Sequence, residues 1–207
     1  MKKTILLFSI VSCFLGNAQN QDSAVSKKIY VKANALFIPV GILNAGVEYQ
    51  LKEKITVQAD VFISPWKSFA GKKLQIYMMG FEGRYYFKEA FKHWYVGANI
   101  SGARFILQKY NYWGNGILQY TPESPIYDTK DLYQDGYAII VGATLGYQFQ
   151  LSERWNMDLY LGAGSAQSFY KGYHKDLGIR YDDDGRKWNK SGEFLPYRGG
   201  VMISYKL

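Results

Sequence analysis

At 207 residues, with 48% hydrophobic and 20% charged residues and a formal charge of +8, the chain is long enough for one domain with a full core or for one closed sheet. A lone cysteine at position 13 excludes a disulfide framework and a thiolate metal cluster. The mild basicity comes without a run of Lys and Arg set among stacking aromatics, which argues against a nucleic-acid partner.

The first element is a leader. Lys2 and Lys3 form a positive n-region, residues 4–15 an apolar stretch and Gly16-Asn17-Ala18 a small-residue cleavage site, the three parts of a secretory signal peptide over residues 1–18. The stretch is shorter than the roughly 20 apolar residues a membrane-crossing helix needs. Ile10-Val11-Ser12-Cys13 loosely matches a lipidation box. Phe14-Leu15-Gly16 continue the apolar run, however, and so place the cysteine inside the h-region. The expected mature domain, residues 19–207, then has no cysteine and carries 23 basic against 17 acidic residues, a formal +6. That balance suits anionic lipid or polysaccharide. Nineteen Tyr, twelve Phe and five Trp with only five Pro favour strands over helices.

From Lys28 onward the pattern has period two, the signature of half-buried strands. Val31, Ala33, Ala35 and Phe37 oppose Lys32 and Asn34. Leu43, Ala45, Val47, Tyr49 and Leu51 oppose Asn44, Gly46, Glu48 and Gln50, and after residues 52–54 Ile55, Val57, Ala59, Val61 and Ile63 oppose Thr56, Gln58 and Asp60. A fourth strand sets Tyr77, Met79, Phe81, Tyr85 and Phe87 against Gly80, Glu82 and Arg84, and a fifth Trp94, Val96, Ala98 and Ile100 against Gly97, Asn99 and Ser101. The sixth runs over 137–150, the seventh over 155–164 and the eighth over 200–207. Residues 52–54, 88–92 and 152–154 read as tight turns. Longer segments lie at 64–73, 107–135 and 166–194, and only the first loop, near 38–42, is short. Even strand number, short turns at one end and long loops at the other are the marks of a Gram-negative outer-membrane barrel with both termini periplasmic.

Alternation alone does not say which face meets water. The polar face is mostly Gly, Asn, Gln, Ser and Thr rather than Lys and Glu, as suits the crowded interior of a narrow barrel, and Trp66, Phe87, Trp94, Tyr147, Phe149, Trp155 and Tyr205 at strand ends fit interfacial girdles. Gly200-Val201-Met202-Ile203-Ser204-Tyr205 has the spacing of a C-terminal barrel-assembly signal. The expected fold is an all-β, eight-stranded antiparallel up-and-down transmembrane β-barrel in the cell outer membrane, with a secreted, soluble lipocalin-like carrier as the alternative.

Several stretches carry a resemblance. Thr56-Val57-Gln58-Ala59-Asp60 leading to Ser64-Pro65-Trp66, Arg84-Tyr85-Tyr86-Phe87, Gly146-Tyr147-Gln148-Phe149 and Glu153-Arg154-Trp155-Asn156-Met157-Asp158 resemble a family of uncharacterised small bacterial outer-membrane barrel proteins, over most of residues 28–207. The resemblance implies a cell-envelope role and a surface or fimbrial protein partner. The 107–135 and 166–194 loops match least.

Chemistry has few candidates. A barrel hydrolase needs His beside Ser and an acid or amide, and only His93 and His174 exist, with Ser165 and Ser168 outside any motif. Solvated or interfacial histidines are the reading adopted, with an outer-membrane lipid hydrolase as the alternative. Asp182-Asp183-Asp184-Gly185 lacks the EF-hand spacing and reads as a turn. No cofactor or metal is expected. Glu48, Asp60, Glu82, Arg84 and Asp158 should share the lumen, and buried charges must pair, so a polar network plugging the lumen is expected. Tyr110, Tyr112, Trp113 and Tyr120 in the 107–135 loop either make a contact surface or pack on one another. The expected partners are outer-membrane lipid and lipopolysaccharide, and no enzymatic activity is expected.

Overall fold

The computed structural model describes residues 27–109, 112–182, 185 and 187–207; the expected leader lies outside them. Among the described residues ten strands form: β1 (Ile29–Asn34), β2 (Leu43–Lys52), β3 (Ile55–Phe69), β4 (Lys72–Tyr86), β5 (His93–Leu107), β6 (Ile117–Gln119), β7 (Ile126–Asp128), β8 (Leu132–Gln150), β9 (Trp155–His174) and β10 (Asn189–Lys206). All but β6 and β7 join one antiparallel ring, in which each strand pairs with its neighbour in the chain and β1 pairs with β10 to close it. The short β6–β7 hairpin stands apart on the loop between β5 and β8.

Four expected loops or strand limits change. Residues 64–73 are strand on both sides of a two-residue turn, Ala70-Gly71, whose positive φ values of 49° and 77° match the tight hairpin geometry that suits twisted strands. β8 begins at 132, β9 runs on to 174 and β10 begins at 189. In these outer extensions the outward positions turn polar, as at Ser165 and Gln167, so the period-two contrast fades while the hydrogen-bonded ladder continues.

The two faces of the ring differ in chemistry. Val47, Val57, Met79, Phe81, Ile100, Val141, Leu145 and Leu161 point outward and are exposed. Lys32, Glu48, Thr56, Gln58, Asp60, Glu82, Arg84, Thr144, Gln148 and Asp158 point inward and are buried. An eight-stranded ring is just wide enough for side chains to fill, and here they fill it in layers. At the short-turn end the 87–92 turn folds inward, so that Phe91 lies 4.4 Å from the Tyr30 ring and 6.1 Å from Tyr86, with Tyr95 behind. The charged layer follows. Above it lies an apolar cluster of Phe105, Ala138, Ile140 and Ala166, with Met78, Leu195 and Tyr197 against it.

Close approach explains Gly146. A Cβ there would sit 2.3 Å from Cζ of the inward Tyr95 ring, whereas one at the outward Gly83 meets nothing within 4 Å. Gly146→Val should therefore destabilise the fold by about 1–3 kcal/mol, the usual cost of overpacking, and Gly83→Val should leave it close to wild type. The urea midpoint followed by tryptophan fluorescence reads both.

Candidate functional site

The charged layer begins with strand parity. Glu48 on β2, Asp60 on β3, Glu82 and Arg84 on β4 and Asp158 on β9 all fall on inward positions, and the ring brings the five together. Arg84 is the centre. Its Nε lies 2.6 Å from Glu82 Oε1, and its Nη1 lies 3.1 Å from Glu48 Oε2 and 2.9 Å from Asp158 Oδ2. Its guanidinium stacks 4.5 Å from the Tyr95 ring centre.

Two further cations complete the layer, and the five-residue expectation lacks both. Lys32 on β1 pairs with Glu48 and lies 3.0 Å from Asp158 Oδ2. Arg198 on β10 reaches Asp60 Oδ1 at 2.9 Å and Glu82 Oε2 at 3.0 Å. Lys32 already sat on the polar face of the first strand, so its period-two position was the signal. Arg198 had none, because it lies before the expected start of the last strand and next to a bulge. Between Pro196 and Arg198 the register slips by one residue, so Tyr197 has no partner on β9, and an extra residue of this kind re-aims side chains. Both Tyr197, which donates its hydroxyl to Asn99 Oδ1, and Arg198 then point inward.

Hydroxyls reach three of the carboxylates. Thr56 donates to Glu48 Oε1 at 2.5 Å, Tyr95 to Asp158 Oδ1 at 2.9 Å and Thr144 to Glu82 Oε2 at 3.2 Å. Four carboxylates, Glu48, Asp60, Glu82 and Asp158, thus face three cations, Lys32, Arg84 and Arg198, all of them buried. Arg84 Nη2 and Arg198 Nε have no protein partner.

The loop aromatics are described in part. Tyr110 lies outside the described residues. Tyr112 is half-buried, Trp113 is half-exposed and donates its Nε1 to Gln108 O at 2.9 Å, and Tyr120 sits 3.3 Å from Asn189 Oδ1. Below them the outer end is packed by polar and aromatic groups. Tyr181 lies over Gly172, where a Cβ would come within 2.4 Å of its ring, and burial pushes its hydroxyl well above the ordinary phenol range. Asp182 accepts from Gly172 N at 2.7 Å and from Asn189 and Arg180. Its carboxylate thus braces the loop, whereas Asp183 and Asp184 lie outside the described residues. Lys175, 2.6 Å from Asp131, ties the two long loops together and holds that carboxyl below its usual range.

The two histidines lie at opposite ends of the ring, His93 at the start of β5 and His174 at the end of β9. His93 Nδ1 lies 3.0 Å from the Tyr147 hydroxyl at the short-turn end, and His174 Nδ1 accepts backbone N–H groups of Asp176 and Leu177 at 3.3 and 3.2 Å. Ser165 accepts from Gln167 Nε2 at 3.0 Å on the exposed face.

An antiparallel ring of eight strands, apolar outside and charged within, is the class of protein that fold and site define. The chain belongs to the family described as "Protein of unknown function (DUF3575)", which matches residues 4–207. No curated protein matches the sequence.

Proposed function

We propose that the ring is a β-barrel inserted in the outer membrane of a Gram-negative bacterium, without enzymatic activity, that contributes to envelope structure or surface interaction through its outer loops. One observation carries the reading: the inverted distribution of polarity. Phe81 is 58% exposed, Val141 57% and Leu161 65%, while Lys32, Glu48, Arg84 and Asp158 are 3% or less. A soluble carrier reverses this arrangement. Exposed apolar surface that runs round a protein beyond a few hundred Å² needs a partner, and hydrocarbon is the partner that fits a continuous belt. Aromatic pairs at its short-turn border, Trp94 with Tyr147 at 5.2 Å and Trp155 with Tyr205 at 4.9 Å, support interfacial girdles. Ring strands of 15–20 residues from β3 onward exceed the 9–11 or so that span a bilayer, and the excess lies on the long-loop side. The filled interior supports a structural or binding role over conduction. Lipid and lipopolysaccharide are the contacts this reading implies, and a surface or fimbrial protein is the partner proposed for the loops.

The test is fractionation with gel migration before and after boiling. The protein should sediment with outer membrane and run at two positions, folded and heat-unfolded. Recovery in the soluble periplasm with a single band would sink the reading.

A further inference from the structure

The wall of the ring is incomplete. β10 pairs with β9 along residues 189–205 but with β1 only from Met202 to Lys206, because β1 has six residues. β3 pairs with β4 up to Phe69 but with β2 only up to Ile63. Above the β1–β2 hairpin, the edges of β3 (residues 64–69) and β10 (residues 189–199) therefore flank a notch. Each edge carries a proline, Pro65 and Pro196, the residue a sheet tolerates at an unpaired edge because it has no N–H to donate. These are the only prolines within ring strands.

The lower rim is apolar. The hairpin tip, residues 35–42, contains no charged residue, and it exposes Leu36 (58%) and Ile38 (63%). Trp66 fixes this tip by donating Nε1 to Val40 O at 2.9 Å. Phe37 turns back over Phe62, ring centres 5.4 Å apart. A cavity of about 290 Å³ is lined here by the outward Leu161, by Gly199, by the inward Phe62, Met78 and Tyr197, and by the polar Asn44, Asp60, Tyr160 and Arg198. Met78 and Tyr197 also border the apolar cluster of the upper interior.

We propose that this notch is a side-entry binding site for one acyl chain of a neutral single-chain ester, a monoacylglycerol-like lipid drawn from the surrounding bilayer. The proposal rests on the membrane reading above. The volume lies at the small end of ligand pockets and admits one chain. The apolar part of the lining, Phe37, Phe62, Met78 and Leu161, takes the hydrocarbon. At the inner end the Arg198 side chain, 4% exposed, spends both Nη groups on Asp60 and Glu82 and leaves Nε without a partner. A buried donor without an acceptor costs free energy, and an ester carbonyl satisfies it. An anionic head is disfavoured because the neighbouring layer already holds four carboxylates against three cations.

The experiment reconstitutes the wild-type protein in phosphatidylcholine bilayers containing a monoacylglycerol with a diazirine on its chain. The sample is irradiated and adducts are mapped by peptide mass spectrometry. Phe62 and Tyr197 report the notch, and the outward Val61 and Val141 report the bilayer. Adducts are expected at all four. The same chain as a free fatty-acid anion should label Phe62 and Tyr197 at least about tenfold less, since like-charge juxtaposition costs several kcal/mol, while labelling Val61 and Val141 equally. Met78→Trp, which fills the cavity, should remove the Phe62 adduct and keep that at Val61. Labelling of the outward pair alone in wild type overturns the site and leaves the membrane reading intact. Absence at all four positions, with migration unchanged by boiling, means that the membrane reading itself has failed. Equal inward labelling by acid and ester overturns the neutral ligand.

Discussion

Replacing Arg84 by methionine is expected to cause the largest loss of stability of any single change inside the ring. The guanidinium lies within 3.1 Å of carboxylates from Glu48, Glu82 and Asp158, and without it four buried carboxylates face only Lys32 and Arg198. Removing one partner of a buried ion pair typically costs about 3–5 kcal/mol, because the other charge is left uncompensated in a medium that solvates it poorly. Here three acids lose their common partner. The urea midpoint of Arg84→Met should fall accordingly, and the double variant Arg84→Met with Glu82→Gln should recover part of the loss by removing one stranded charge. Arg84→Lys should recover less than full stability, because one ammonium does not reproduce the fork that meets three acceptors. An Arg84→Met protein that unfolds at the wild-type urea concentration would show that the interior is hydrated enough to solvate its acids.

The second large effect is expected on the outer face. Val141 is 57% exposed at the middle of β8, and Thr144, three residues on, is 3% exposed, accepts from Asn99 at 2.9 Å and lies 3.2 Å from Glu82 Oε2. If the belt contacts hydrocarbon, Val141→Arg places a charge near the bilayer midplane and should cost about 2–4 kcal/mol, while the same change near an interface costs about 0–1 kcal/mol. Thr144→Arg acts differently, by forcing a long side chain into a filled interior. Folding into lipid vesicles separates the two. Val141→Arg should lose stability in vesicles and much less in detergent micelles, which deform around a charge, whereas Thr144→Arg should be destabilised in both. Equal and small effects of Val141→Arg in vesicles and micelles would count against the belt as a lipid contact.

Much of this was legible from residue order, for a local reason. Side chains on a strand alternate between faces wherever the strand sits, so Val57, Ala59 and Val61 against Thr56, Gln58 and Asp60 declared both strand and face before any partner was known. The tight turns at 52–54 and 152–154, the eight ring strands and the sharing of one interior by Glu48, Asp60, Glu82, Arg84 and Asp158 follow from the same alternation. What the chain order left open depends on pairing between distant residues. Where the outward positions become polar, as at Ser165, Gln167, Lys171 and Lys190, the contrast between faces fades, and only the ladder to a neighbouring strand shows that β9 and β10 continue. The slip at Tyr197, which turns Arg198 toward Asp60 and Glu82, is a difference in count between two strands and has no local mark beyond Pro196. The closure of β1 on β10 joins residues more than 160 positions apart. The notch arises from unequal strand lengths around a closed ring: its edges, residues 64–69 and 189–199, lie outside the strands read from the sequence, and the gap exists only once β3 and β10 are seen to outrun the hairpin between them.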